Sequence, residues 1–209
     1  MRTQPYPVMT QASTVLSELR RATADAHARL EQQLNLMTPE LSLTRYRGVL
    51  VAFYGYWGPL ETLLERRAAE LRPAFPLRPR AELLRRDLKA LGLSRVQLAE
   101  LPRCTAFPRV QRLEEVAGCL YVLEGARLGG QVVAGFLRRR FGLDSACGAA
   151  FFSGNDEWTR QRWAAYLEWL AEVAEAGATR PLLVQSASET FRTLLCWVEQ
   201  QVAQQGVSR

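Results

Sequence analysis

The chain has a single histidine, His27, and a single lysine, Lys89, in 209 residues. Any imidazole chemistry must therefore use His27. This removes metal sites built on histidine pairs, and with no G-x-S-x-G or comparable nucleophile context a Ser-His-Asp relay is hard to build. The four cysteines, Cys104, Cys119, Cys147 and Cys196, form no C-x-x-C pair and have no neighbouring histidine to complete a zinc or cluster site. They read as reduced, mostly buried small side chains. No apolar run reaches the roughly 18 uninterrupted residues that a membrane span needs. The opening MRTQPYPVMTQAS also lacks the charged-then-apolar order of a secretory signal. The expectation is a cytoplasmic chain without a membrane segment. There is no internal repeat, no low-complexity tract and no segment of strand-like alternation.

A chain that is 48% hydrophobic and 23% charged, with a net charge of +6, falls in the range of one globular domain with a substantial core. The positive charge favours acidic partners in general: nucleic acid, an acidic electron-transfer protein, or a ligand carrying carboxylates. No nucleic-acid-binding module accompanies it, which disfavours the first.

Glycine and proline punctuate long segments of helical spacing, so the fold class expected is all-α. A flexible arm over residues 1–12 precedes a single domain over 13–209. Ser13 or Thr14 caps a first helix, with Val15, Leu19, Ala22, Ala26 and Leu30 on one face. A second helix follows Ser42, and Pro59 inside it predicts a kink or a split. A third runs from about Pro79 to Leu91 and stops at Gly92, a short one starts at Ser94 and ends before Pro102, and a long one spans about Arg112 to Phe141, closed by Gly142. Two more fit Asn155–Ala176 and Pro181–Gln204.

Two groups of residues carry chemistry. A lone histidine on an amphipathic helix is more often structural than a ligand, but His27 has Glu31 one turn later on the same face. That carboxylate is placed to accept the proton of the ring nitrogen facing away from a metal. Arg20, two turns earlier, reaches toward a carboxylate at the rim of a bound macrocycle. Ordinary helix surface decoration is the alternative for Arg20 and Glu31. The second group is glycine: Gly118, Gly125, Gly129, Gly130 and Gly135 lie in one predicted helix, at about 1 kcal/mol each relative to alanine. At 100° per residue, Gly118, Gly125 and Gly129 fall within about 40° of one another, a strip of bare backbone. Either a neighbouring helix packs unusually close or a flat ligand does. The adjacent Gly129 and Gly130 permit a bend, which favours the ligand.

LSELRRATADAHARLE, with its L-x-x-A-T-x-x-x-H-x-x-x-E pattern, and YVLEGARLGGQV, with its G-x-x-x-G-G-Q core, resemble the proximal and distal helices of bacterial haem oxygenases, particularly those accompanying bacteriophytochromes. RYRGVLVAFYGYWGPLE and LLRRDLKALG are weaker matches. The resemblance implies a multi-helix fold with haem sandwiched between a proximal helix and a kinked distal one. It implies His27 as the iron ligand, Glu31 as its hydrogen-bond partner, Arg20 and Thr23 among the haem-binding residues, and Gly125, Ala126, Gly129 and Gly130 as the distal segment at the reacting edge. Tyr54 and Trp57 are placed on the distal side, and Arg127 and Arg162 are candidates for a haem propionate. One departure stands out: Ala126 occupies the position where animal-type relatives carry an aspartate that orders the proton-delivering water.

The activity implied is oxidative cleavage of haem b to biliverdin with release of carbon monoxide and iron. It consumes O2 and electrons from an acidic ferredoxin or flavoprotein reductase, and a bacteriophytochrome is a plausible recipient of the biliverdin. Arg138-Arg139-Arg140 supports the end of the distal helix; a solvated basic helix end is the favoured reading, and a docking patch for such a donor is the alternative. A haem carrier or sensor without turnover, and an interaction protein whose glycine strip is only a packing seam, are the competing readings.

Overall fold

A computed structural model describes residues 7–154, 156–175 and 180–207. The helices are α1 (Pro7–Leu34), α2 (Leu43–Leu71), α3 (Ala81–Ala90), α4 (Arg95–Glu100), α5 (Leu113–Phe141), α6 (Asp156–Glu175) and α7 (Arg180–Val207). Among the described residues there is no strand, only an isolated bridge between Asp144 and Gly148.

Most helix ends follow from local chemistry. The Ser42 hydroxyl accepts from the Arg45 N–H and starts α2, and Ser94 with Gln97 forms a reciprocal capping box on α4. Gly92 and Gly142 adopt φ of 94° and 69° beyond the ends of α3 and α5, a conformation that costs glycine little. The first helix differs from expectation. It begins at Pro7, so Ser13 and Thr14 lie inside α1 rather than at its cap. Proline suits the first helical position, because its missing N–H would have no partner there. Residues 1–6 of the expected arm lie outside the described residues. On the core face of α1, Val15, Leu19 and Leu30 are buried as expected, whereas Ala22 is exposed and Thr23 is buried instead.

Pro59 does not split α2, which runs unbroken through it. Proline at 59 removes the bond that the Gly55 carbonyl would otherwise accept. The Cys104 N–H donates to that carbonyl at 2.9 Å, so the connector after α4 supplies the missing partner.

Helix α7 is the spine of the molecule, packing along both α5 and α1, and α6 also packs against both. Helices α1 and α5 themselves scarcely touch, and α6 and α7 meet only slightly. The two helices that carry the candidate residues are thus held apart by two others. On the other side, α2 lies against α3, α5 and α7 over an aromatic core in which Phe53, Tyr56, Trp57, Phe151 and Phe152 pack edge to face.

Candidate haem-facing site on α1 and α5

His27 sits in the second half of α1, its side chain 53% exposed. Nothing in the core claims its ring nitrogens; its fixed neighbour is Phe191 of α7, met edge-on at 5.4 Å and 86°. The imidazole is therefore held from the side and left open in front. Glu31 is one turn away as expected, with Oε1 3.7 Å from Nε2. That separation is longer than a hydrogen bond. Nε2 is the nitrogen facing Glu31. Arg20 is exposed on the same helix. Thr23 is buried, and its hydroxyl donates to the Leu19 carbonyl at 2.8 Å, so it serves the helix backbone in this conformation.

The glycine strip on α5 divides into two functions. A Cβ at Gly118 would lie 2.4 Å from the Leu183 carbonyl oxygen and 2.8 Å from the Ala187 nitrogen, so this glycine is a packing seam against α7. Gly125 and Gly129 are different: a Cβ at either would meet nothing within 4 Å. Gly130 again has a neighbour, the Phe152 carbonyl oxygen at 3.2 Å. Bare backbone therefore faces open space only at Gly125 and Gly129, and Ala126 beside them brings no carboxylate to that surface.

Four other expected residues are placed elsewhere. Trp57 is buried in the aromatic core, 1% exposed, against Phe53 and Phe151. The Tyr54 ring lies under the Arg103 guanidinium, whose carbon is 3.9 Å from its centroid, and its carbonyl accepts from Arg103 Nη1. Tyr54 thus faces the connector after α4 rather than His27. Arg127 and Arg162 are both spent on Glu124. Arg162 grips its carboxylate through Nε at 2.8 Å and Nη2 at 2.7 Å, and Arg127 Nε reaches the same group at 3.1 Å. Nη2 of Arg162 also donates to the Pro76 carbonyl and Nη2 of Arg127 to the Arg78 carbonyl, so both side chains are engaged within the protein.

This cluster, immediately before Gly125, escapes sequence inspection because its three charges come from α5 and α6 and meet only in the fold. Beside it, Glu61 accepts from the Arg80 and Ala81 N–H groups at 2.8 and 2.9 Å, and burial pushes its carboxyl up to about 6. Burial also lowers Arg80 to about 9. Phe191 is likewise invisible in sequence, since nothing local distinguishes it from the other apolar residues of α7.

The described residues form an all-helical protein with an exposed imidazole on α1 and uncovered backbone at Gly125 and Gly129 on α5. The family model described as "Heme oxygenase" matches residues 13–200, and the chain belongs to the haem oxygenase family. The crystal structures of the NO- and CO-bound haem oxygenase from Neisseria meningitidis share the fold: TM-score 0.72, 19% identity, with 90% of this chain and 92% of that chain covered. No curated protein sequence matches.

Proposed function

We propose that the chain is a working haem oxygenase that cleaves haem b to biliverdin, carbon monoxide and iron. O2 and electrons from an acidic ferredoxin or flavoprotein reductase drive the reaction. The observation that carries this reading is the contrast within α5: Gly125 and Gly129 have no neighbour where a side chain would stand, while His27 on α1 presents a half-exposed imidazole.

The residues present fit the group. His27 would hold the iron, Phe191 would keep the ring from swinging, and Glu31 would draw a proton of the ring nitrogen turned away from the metal. Arg20 would pair with a propionate at the rim. Gly125 and Gly129 would let main chain approach the macrocycle more closely than any side chain allows, which confines the reacting edge sterically. Bound haem supplies the iron that activates O2 and the carbon that is oxidised. A neutral imidazole, unlike a thiolate, does not press strongly for O–O cleavage. With alanine at 126, water held by main-chain carbonyls would have to carry protons. By its motifs the subtype is the one accompanying bacteriophytochromes, which would make such a photoreceptor the recipient of the bilin.

Aerobic hemin titration tests this directly. The expected result is a Soret band that is lost in His27→Ala, and its conversion to a bilin spectrum when ascorbate or a ferredoxin–reductase pair is added. Ala126 favours one alternative, a haem carrier or sensor, which gives the same Soret band and no bilin. Absence of a Soret band in the native chain would refute both.

A further inference from the structure

Over residues 125–130 glycine stands at 125, 129 and 130, and each glycine weakens a helix interior relative to alanine. A Cβ at Gly125 or Gly129 would meet nothing within 4 Å, so packing on that face does not hold the main chain in place. Helix α5 nevertheless runs unbroken from Leu113 to Phe141. The stretch is fastened at its two ends.

At the first end the anchor is Glu124. Arg162 of α6 takes its two carboxylate oxygens separately, Nε to Oε2 at 2.8 Å and Nη2 to Oε1 at 2.7 Å. A two-point grip of this kind fixes orientation as well as distance. The guanidinium is itself held. Its Nη2 also donates to the Pro76 carbonyl at 2.9 Å, and its carbon lies 4.4 Å from the ring centroid of Phe75, which stacks on Trp169 of α6 at 5.7 Å and 19°. Arg127 adds a single contact to the same carboxylate, at 3.1 Å, and reaches the Arg78 carbonyl through Nη2. Glu124 is thus joined both to α6 and to the segment 72–80 between α2 and α3.

At the second end the anchor is backbone. A Cβ at Gly130 would lie 3.2 Å from the Phe152 carbonyl oxygen and 3.4 Å from the Phe152 Cα, so main chain rests close to main chain. The residues just before Phe152 are fixed by α3 and its cap. Asp87 accepts from the Ala150 and Phe151 N–H groups at 2.7 and 2.8 Å, and Arg80 donates to the Phe151 carbonyl. Of the two fastenings, only the one at Glu124 is made by side chains and can be altered without touching the bare backbone.

We infer that Arg162 is a positioning residue for the proposed reaction: through its two-point hold on Glu124 it sets the angle at which the main chain of residues 125–129 faces the macrocycle. The inference rests on reading that stretch as haem-facing. A glycine-rich segment held at one end only can rock, which brings more than one edge of a flat ligand beneath it; held at both ends, it confines a single edge. Lysine at 162 cannot reproduce the hold, because an ammonium is a point charge without the planar fork.

The test compares R162K, which keeps a cation beside Glu124, with R127K, which changes the single contact. In the ligand-free chain, amide hydrogen exchange over residues 125–130 should quicken by about tenfold in R162K, with exchange over residues 116–122 of the same helix unchanged, and R127K should show the smaller change. With hemin and ascorbate, R162K should keep the Soret band and give a broader mixture of meso-cleavage isomers of the bilin than the native chain. Unchanged exchange over 125–130, equal quickening in both halves of α5, an effect of R127K as large as that of R162K, or an unaltered isomer pattern would each overturn the positioning role while leaving the haem reading intact. Absence of a Soret band in the native chain would instead overturn the haem reading, and the role of Arg162 with it.

Discussion

Gly118 and Gly125 lie two helical turns apart on the same face of α5, yet they answer different needs. At Gly118 the absent side chain lets α5 rest on the backbone of α7; at Gly125, and at Gly129 a turn later, the same absence faces nothing. Small residues at regular spacing are therefore not one feature. The first half of α5 is sealed into the core, and the middle is an uncovered surface whose helix-weakening glycines gain nothing from the protein's own packing.

The comparison can be broken at its boundary. Glu124, 4% exposed, ends the sealed half and pairs with both Arg127 and Arg162. Glu124→Ala leaves the buried Arg162 and the half-buried Arg127 without their carboxylate and should destabilise by about 3–5 kcal/mol, read as a fall in the urea midpoint; an effect below about 1 kcal/mol would show the cluster to be solvated.

Gly118→Ala sharpens the contrast. The new Cβ would press on main-chain atoms of α7, which cannot rotate away, and the expected cost is about 1–3 kcal/mol in chemical denaturation.

The pH dependence of stability probes the region packed behind the sealed half. Glu61 has its carboxyl raised from 4.5 to about 6 by burial, so the folded chain holds this proton more tightly than the unfolded one. The contribution is complete below pH ~4.5 and is lost as pH rises through about 6, a change of about 2 kcal/mol. Glu61→Gln should flatten that part of the stability–pH curve; an unchanged slope would assign the titration to another group.

The smallest effect has the opposite sign. Gly125→Ala and Gly129→Ala each relieve a helix-interior glycine with no steric conflict and should stabilise the ligand-free protein by up to about 1 kcal/mol. The same substitutions should weaken the Soret-forming complex or redirect its oxidation. Stabilisation without any effect on hemin binding would mean that the open face is not where the macrocycle lies.

Features whose cause lies within a few residues could be read in advance. Ser42, Ser94, Gly92 and Gly142 mark helix ends because capping is settled by one hydroxyl or one left-handed residue. His27 stood out by being alone, and the bare stretch of α5 by its density of glycine. Features settled by distant partners were misjudged. Pro59 is tolerated because Cys104, 45 positions later in the chain, donates to the carbonyl it leaves free. Arg127 and Arg162, which looked free, both bind Glu124, and Tyr54 lies under Arg103.

By itself the amino-acid order determined the helical class, most helix boundaries, the sole imidazole and the existence of a glycine-rich strip, since each depends on periodicity, capping or composition. Tertiary structure alone decided which glycines are covered, which arginines are spent and what the imidazole leans on. The reason is that burial and charge pairing are properties of surfaces brought together from separate helices, and helix periodicity specifies a face without specifying its neighbour.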